Sequence, residues 1–322
     1  MDKIISIVIP AYNVEKYIGQ GIESFLADHG IINDIELLII NDGSRDKTKI
    51  IADTFAQEYP DIVRVINKEN GGHGSTINRG IQEAKGRYFK VVDGDDWVES
   101  EQFPLLVRFL KSTDADLVIS PFYSCDNNSL QKTIVDSFKN YDGQYNFNEI
   151  CSVLPRIQMH GMTIKTDILR KNRIQLQEHL FYVDVEYTCF PVPYINTIEF
   201  LKTPIYVYRV GTDEQSMNRI NLWKRRNQHL KVLHHLIDFY RNLDTVPEKK
   251  EYLRRAISEM ADTQYMILLS GPVCKKTKKE LISFDNCLKQ ASREIYNSTK
   301  VRRIIVLRKC RFIIYRWLHV SR

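Results

Sequence analysis

The chain has 322 residues, 43% of them apolar and 27% charged, enough to bury one large core and a second smaller one, which excludes a disordered chain. No apolar run approaches the roughly eighteen residues of a membrane-spanning helix. The six cysteines (Cys125, Cys151, Cys189, Cys274, Cys287, Cys310) show no CxxC pair, and their scatter fits a reducing cytoplasm better than a disulfide-stapled domain. Net charge is +6, but residues 300–322 hold eight Lys or Arg and no Asp or Glu; subtracting these eight leaves −2 elsewhere, which argues against a nucleic-acid-binding body.

From the start, "IISIVIP" (4–10) is a continuous apolar run closed by Pro, the pattern of a strand buried on both faces, and not that of a signal peptide. Asn13 is placed to cap a helix through "VEKYIGQGIESFLA", whose Tyr17, Ile18, Ile22, Phe25 and Leu26 share one face. The alternation continues with "IELLII" as strand, "RDKTKIIADTFAQEY" as helix, "VRVI" as strand and "STINRGIQEA" as helix. It ends with "RYFKVV" as strand, "SEQFPLLVRFLKS" as helix and "ADLVIS" as strand. Such alternation predicts βαβ units and a mostly parallel sheet. After about residue 125 it weakens, and from Trp223 to about Leu269 helical periodicity dominates until "LSGPVCKKTKKE" breaks it. The expected class is α/β, with a helical C-terminal extension.

In a doubly wound sheet, ligands bind beyond the carboxyl ends of the strands. Four polar loops fall there: "PAYN", "NDGS", "NKENGGHGST" and "DGDDW". In "DGDDW" (93–97), Asp93 and Asp95 flank a glycine and can converge on one hard divalent cation, whose remaining shell suits water and diphosphate oxygens. Alternatively, the acids cap the following helix. Asp42 in "NDGS" reads either as part of an ordinary turn or as an acceptor for a base or ribose. The glycines of "NGGHGS" do not form GxGxxG after a first strand, and no GK[ST] loop occurs; His73 remains a weak candidate near a donor.

Taken together, "SIVIPAYN", "IINDGS", "ENGG" with "NRG", and "VVDGDDW" resemble the family 2 inverting glycosyltransferases of GT-A fold, which move a sugar from a nucleotide-sugar to an acceptor hydroxyl. The resemblance is strong over residues 4–120 and fainter to about 218. It implies a GT-A domain over 1–218, with a nucleotide-sugar-binding half (1–120) and an acceptor-side half (121–218), followed by a helical region over 219–322. It further implies that Pro10, Ala11, Tyr12, Asn13 and Asp42 hold the nucleotide, usually uridine, with Asn70, Gly71 and Asn78 beside them. Asp93 and Asp95 would contact ribose and a diphosphate-bound Mg²⁺ or Mn²⁺, while Asp96 orients the loop or caps the next helix. The chain departs from the family where an Arg is frequent: Ile77 stands there, beside Asn78, and Arg79 is not its substitute.

The acidic acceptor-side motif of the family corresponds to "HLFYVDVEYT", with Val183 where Glu is usual and Asp184 at the position of the catalytic base. As plain sequence, "FYVDVEY" reads as a strand or a helix start with solvated acids, and Glu186 competes for the base role. Phe181, Tyr182 and Tyr187 are candidates for an acceptor subsite. In "YRVGTDEQSMN", Arg209, Gln215 and Ser216 belong to a stretch that closes over the diphosphate in relatives.

The implied setting is bacterial surface polysaccharide or glycoconjugate assembly, cytoplasmic, with a glycan or lipid-linked acceptor. Two rival readings stand beside it: a phosphohydrolase with an Asp nucleophile, and a sugar-nucleotide-binding scaffold without turnover. The tail "KVRRIIVLRKCRFIIYRWLHVSR" reads equally as a helix packed on the body and as an interfacial helix on anionic lipid at the inner membrane face.

Overall fold

A computed structural model describes residues 3–212 and 218–317. Gln215 and Ser216 lie outside the described residues, as does the end of the basic tail. The chain divides into two compact units, the first formed by Met1–Ile150 and Ile157–Thr212, the second by Cys151–Arg156 and Asp213–Arg322. None of the six cysteines forms a disulfide.

In the first unit the strands are β1 (Ile5–Ala11), β2 (Ile35–Asn41), β3 (Val63–Asn67), β4 (Tyr88–Val91), β5 (Trp97–Val98), β6 (Leu117–Ile119), β7 (Phe122–Asp126), β8 (Lys132–Val135), β9 (Gly143–Asn146), β10 (Met162–Lys165), β11 (Thr197–Phe200) and β12 (Tyr206–Val210). Its helices are α1 (Ile18–Leu26), α2 (Thr48–Glu58), α3 (His73–Glu83), α4 (Phe103–Ser112), α5 (Phe147–Ile150), α6 (Thr166–Lys171) and α7 (Asp184–Cys189). One sheet has the order β3-β2-β1-β4-β10-β6-β11-β9, the other β5-β12-β7-β8. The first four strands of the large sheet run parallel, and the pairing turns antiparallel where β10 joins β4. The parallel part is the predicted βαβ half; the small sheet is an addition that the weak periodicity after residue 125 did not announce.

Strands β1 and β2 are buried along their whole length, which is why they read as unbroken apolar runs. Around them Ile7, Ile9, Leu37, Ile39, Ile22, Phe25, Leu106 and Tyr206 join one hydrophobic core. Because β1 has β2 on one side and β4 on the other, the strand order reverses at β1/β4, and the crevice beyond their carboxyl ends is where a ligand fits this topology.

Two expectations need correction. Asn13 does not cap α1, which begins five residues later: with φ +54 its backbone N–H donates to Ser44 Oγ (3.1 Å) and its Oδ1 accepts from Arg45 N (2.9 Å), tying the first loop to the second. The lysine cluster of "KKTKKE" does not prolong the break after Leu269. It opens a helix, with Cys274 Sγ accepting from Thr277 N at its cap.

The second unit contains α8 (Arg219–Lys224), α9 (Arg226–Asn242), α10 (Pro247–Ser270), α11 (Lys275–Ala291), α12 (Arg293–Asn297) and α13 (Arg302–Lys309). Buried Leu233, Leu236, Leu253, Ile257, Leu268, Leu281 and Leu288 line their inward faces. No described helix is long and apolar enough to cross a membrane.

Helix α3 approaches β1 closely at Gly80, where an added Cβ would meet the two methyls of Val8 at 2.5 and 2.6 Å. Gly80→Ala would gain about 1 kcal/mol of helix propensity, yet overpacking costs about 1–3 kcal/mol, so the clash should win. A lower midpoint of denaturant unfolding is the expected result, and an unchanged or raised midpoint would show that α3 moves away freely.

Candidate active site

The acidic loop follows β4 directly. Its backbone is fixed by β12: Asp96 Oδ2 accepts from the Tyr206 hydroxyl (2.5 Å), Asp96 Oδ1 accepts from Arg209 N (2.7 Å), and the Tyr206 oxygen accepts from Asp93 N (3.2 Å). Asp96 is buried, and burial followed by the neighbouring Asp95 and Asp93 holds its carboxyl well above the usual range. Of the two roles expected for Asp96, orienting the loop is the one the geometry supports, since α4 begins only at Phe103.

Arg209 lies beneath the acidic loop with its donors engaged by protein groups. It is 6% exposed, its guanidinium stacks on the rings of Tyr17 and Trp97 at 4.6 and 4.5 Å, and its Nε donates to the Asp95 carbonyl (2.9 Å). Nη1 and Nη2 donate to Asn127 Oδ1 and Gln20 Oε1. The fork of donors is spent on shaping the acidic loop, the more so because burial between two rings favours a charge that is fully hydrogen-bonded.

Asp93 Oδ1 lies 2.8 Å from His73 Nε2, at the first residue of α3. Burial alone would lower the His73 pKa, but the carboxylates of Asp93, Asp184 and Asp95 outweigh burial and raise it. Asp95 is pushed up to about 6, first by burial and then by Asp93. These shifts mark a site with more negative charge than its own cations neutralise.

Among the described residues, one group of three possible metal-ligating side chains converges: Asp93, Asp96 and His160, with ligand atoms within 4.8 Å of one another. Asp95 is not in that group, and both oxygens of Asp96 are already occupied by β12. His160 is a residue that sequence reasoning missed. Its ring packs on Phe122, Tyr206 and Tyr208 at 5.0, 5.0 and 4.4 Å, with Nδ1 buried and without a partner, and burial lowers its pKa to about 4. Beneath it, the buried Lys90 of β4 donates to the carbonyls of His160 (2.8 Å) and Met162 (3.2 Å), and burial pulls its pKa down to about 7. With Asp96 engaged by β12, the Asp93 carboxylate and the His160 imidazole remain to hold a divalent cation, and Asp95, next in the loop, is the further carboxylate that fits one.

The remaining donor-side candidates sort by exposure. Tyr12 presents an exposed ring at the end of β1, with Asn13 exposed beside it, while Pro10 and Ala11 are buried in the strand itself. Asp42 is 2% exposed, and its carboxylate accepts from Gly71 N (2.9 Å), Gly72 N (2.8 Å) and Lys68 Nζ (2.7 Å). Asn70 Nδ2 donates to the Asp42 carbonyl (3.0 Å). Asp42 therefore ties the second loop to the third, and three of the roughly four acceptor sites of its carboxylate are used in doing so. Lys68, also unremarked in the sequence, bridges Asp42 Oδ1 and Ser75 Oγ on the same rim; a lone lysine in the loop after β3 was the available signal.

Asn78 joins α3 to the segment around Leu176. Its amide pairs with the backbone of Leu176 (2.8 and 2.9 Å) and reaches Glu178. Glu186 is wholly buried and accepts from Gln177 N (2.8 Å), and His179 N donates to the Gly71 carbonyl. A Cβ at Gly74 would sit 2.0 Å from the Gln177 carbonyl oxygen, so only glycine allows this approach. The "NGGHGS" turn thus anchors the segment 176–179, which leads to α7. There Asp184, half-buried at the first helical position, is the accessible acid, and Glu186 is withdrawn as its competitor. Ile77 and Val183, the two departures from the family pattern, are both wholly buried. Of the three aromatics named beside Asp184, Phe181 is exposed, whereas Tyr182 and Tyr187 are buried.

The family model for Glycosyl transferase family 2 matches residues 6–173. An uncharacterized glycosyltransferase of Bacillus subtilis, EpsJ, is 40% identical over 123 residues, covering 38% of this chain and 35% of EpsJ, so the similarity reaches only about a third of that relative. Glycosyltransferase GlyG of Streptococcus pneumoniae is 27% identical over 228 residues, covering 65% of this chain and 71% of GlyG. Among solved structures, S. aureus TarS in complex with UDP-GlcNAc superposes with a TM-score of 0.72 at 16% identity, covering 98% of this chain and 90% of the other. The mannosyltransferase PcManGT from Pyrobaculum calidifontis, in complex with GDP-Man and Mn²⁺, gives 0.55 at 14% identity over 97% and 88%. These likenesses show the GT-A fold. With its family model matched over more than half of its length, the chain belongs to glycosyl transferase family 2.

Proposed function

We propose that this chain is an inverting, metal-assisted glycosyltransferase that moves a sugar, in the manner of a hexosyltransferase, from a nucleotide-diphospho-sugar to an acceptor hydroxyl in the assembly of a cell-surface polysaccharide or glycoconjugate. The observation that carries the proposal is the common field of three acids on one imidazole. Asp93 and Asp95 from the end of β4 and Asp184 from the start of α7 all act on His73. Their shared influence on His73 supports a reading in which the donor-side acids and the acceptor-side Asp184 serve one reaction centre. The similarity to TarS, whose structure holds UDP-GlcNAc, favours a UDP-linked donor. Against the scaffold reading, motivated by Ile77 and Val183, stand the acids Asp93, Asp95 and Asp184, all present in the chain.

In this reading, the exposed Tyr12 ring offers a face on which the base stacks, with Asn13 and Asn70 as polar neighbours and Lys68 as a nearby cation. A Mg²⁺ or Mn²⁺ ion held by Asp93 and Asp95 would supply positive charge to the diphosphate oxygens. Asp184 accepts the proton of the acceptor hydroxyl as that oxygen forms its bond to the anomeric carbon from the face opposite the diphosphate. The bond from that carbon to the phosphate oxygen breaks, and its electron pair leaves with the nucleoside diphosphate.

A positioned base contributes about 10²–10⁴ in rate. Asp184→Asn should therefore reduce sugar transfer by about that factor while leaving nucleotide-sugar affinity, measured by calorimetry, unchanged; normal transfer by this variant would remove Asp184 from the role. Gly74→Ala, which pushes on the segment leading to Asp184, should lower kcat more than donor affinity, and a variant with wild-type kcat would show that the anchor is dispensable.

The Asp95 pKa of about 6 lies above its unfolded value of 3.8. Its contribution to the stability of the metal-free protein is thus fully present below the unfolded value and is lost as the pH rises through about 6. Cation binding needs the ionised form. The thermal shift produced by Mn²⁺ with a nucleoside diphosphate should accordingly be large near neutral pH and shrink below about pH 6, whereas equal shifts at both pH values would contradict the assignment of Asp95.

A further inference from the structure

The C-terminal segment resolves the two readings of its sequence into two faces. Inward, Ile304, Leu307, Phe312 and Tyr315 are buried, and Arg308 is clasped by Asp285 Oδ1 (2.8 Å), the Tyr265 hydroxyl (2.9 Å) and the face of the Tyr296 ring (3.5 Å). Those contacts fix the rotation of α13 on the second unit. Outward, the helical period brings Arg302, Ile305, Val306 and Lys309 onto one arc, opposite Ile304, Leu307 and Arg308. The chain then continues through exposed Arg311, Ile313, Arg316 and Trp317.

Two properties of this outward face stand together. Its apolar side chains are large and open to solvent, Ile313 at 76% and Trp317 at 87%. Its cations Arg302, Arg303, Lys309, Arg311 and Arg316 form no ion pair among the described residues, and residues 300–322 contain no acid that could neutralise them. An open groove of about 380 Å³, lined by Asp262, Met266, Lys300, Val301, Arg302 and Arg303, extends the same surface; the Asp262 carboxylate there is already used by Thr299 and by Lys300 N. A nucleic acid would call for the cations without the Ile, Val and Trp, and a second protein copy would call for acids opposite five unpaired cations. Cations interleaved with aliphatic and indole side chains match the boundary between lipid phosphates and acyl chains, where basic side chains meet headgroups and Trp prefers to lie.

We infer that the outward face of residues 302–317 is a docking surface for an anionic lipid bilayer, on which the protein lies peripherally. The inference stands on the second unit alone and is independent of the reaction assigned to the first. Binding has two components, attraction of unpaired cations to anionic headgroups and burial of Ile305, Val306, Ile313 and Trp317 at the interface.

The full chain should co-sediment with vesicles of phosphatidylcholine containing phosphatidylglycerol, and far less with phosphatidylcholine alone. Brominated lipid should quench Trp317 fluorescence, isolated by comparison with Trp317→Phe. Reversing Arg302, Arg303 and Lys309 to Glu should reduce partitioning at least about tenfold, and Ile313→Ser with Trp317→Ala should reduce it with the cations intact; both variants alter exposed side chains, so thermal stability should stay as in wild type. No association with anionic vesicles would overturn the inference. So would association that is indifferent to the apolar variant and abolished by high salt, or outward-face-dependent self-association or RNA binding in place of vesicle binding.

Discussion

The tie between Asp96 and β12 is the constraint on which the rest of the site depends. A loop with three carboxylates in four positions is self-repelling, and burial increases that cost. Two backbone-level anchors hold it nonetheless: the Tyr206 hydroxyl joins Asp96 to Asp93 N, and the Arg209 backbone and Nε reach Asp96 and the Asp95 carbonyl. With Asp96 engaged in this way, Asp93 is left to meet His73 and Asp95 keeps a raised pKa, the arrangement from which the proposed cation affinity is argued. The second sheet exists beside the large one to deliver these anchors, because β5 continues directly from the loop and pairs with β12.

A second tie, made by the third loop, connects the strand-end loops to the segment that leads to α7. Asp42 gathers the Gly71 and Gly72 amides, Gly74 admits the Gln177 backbone, and Asn78 and Glu186 hold Leu176 and Gln177. Several polar residues that look functional in the sequence thereby act at one remove: they set where Asp184 stands relative to Asp93. The energetic logic is that buried polar side chains are satisfied by backbone groups and so specify one loop geometry.

Much of the fold was legible because β1 and β2 are buried on both faces and the helices between them are amphipathic. The four-loop rim was legible for the same reason, since strand ends fix where loops emerge. What could not be read was the direction of each polar side chain. Asp42, Asn78 and Arg209 carry the residue types of ligand contacts, yet tertiary partners far along the chain claim their hydrogen-bonding groups. His160 was invisible because its neighbours, Phe122, Tyr206 and Tyr208, lie on strands of the small sheet, whose short, weakly periodic segments gave no signal. Asn13 failed as a helix cap because a positive φ turned it toward the second loop.

In the proposed function, the hydroxyl of Tyr206 pre-shapes the acidic loop for a nucleotide-bound cation. Tyr206→Phe keeps the ring in the core but leaves Asp96 Oδ2 and Asp93 N without this partner, at about 1–3 kcal/mol for each unsatisfied group. Calorimetric titration of the wild type and this variant with a panel of nucleoside diphosphates, with and without Mn²⁺, tests it most directly. The account predicts a Mn²⁺-dependent affinity in the wild type that falls about tenfold or more in the folded variant. An equal Mn²⁺-dependent affinity in both proteins would contradict it.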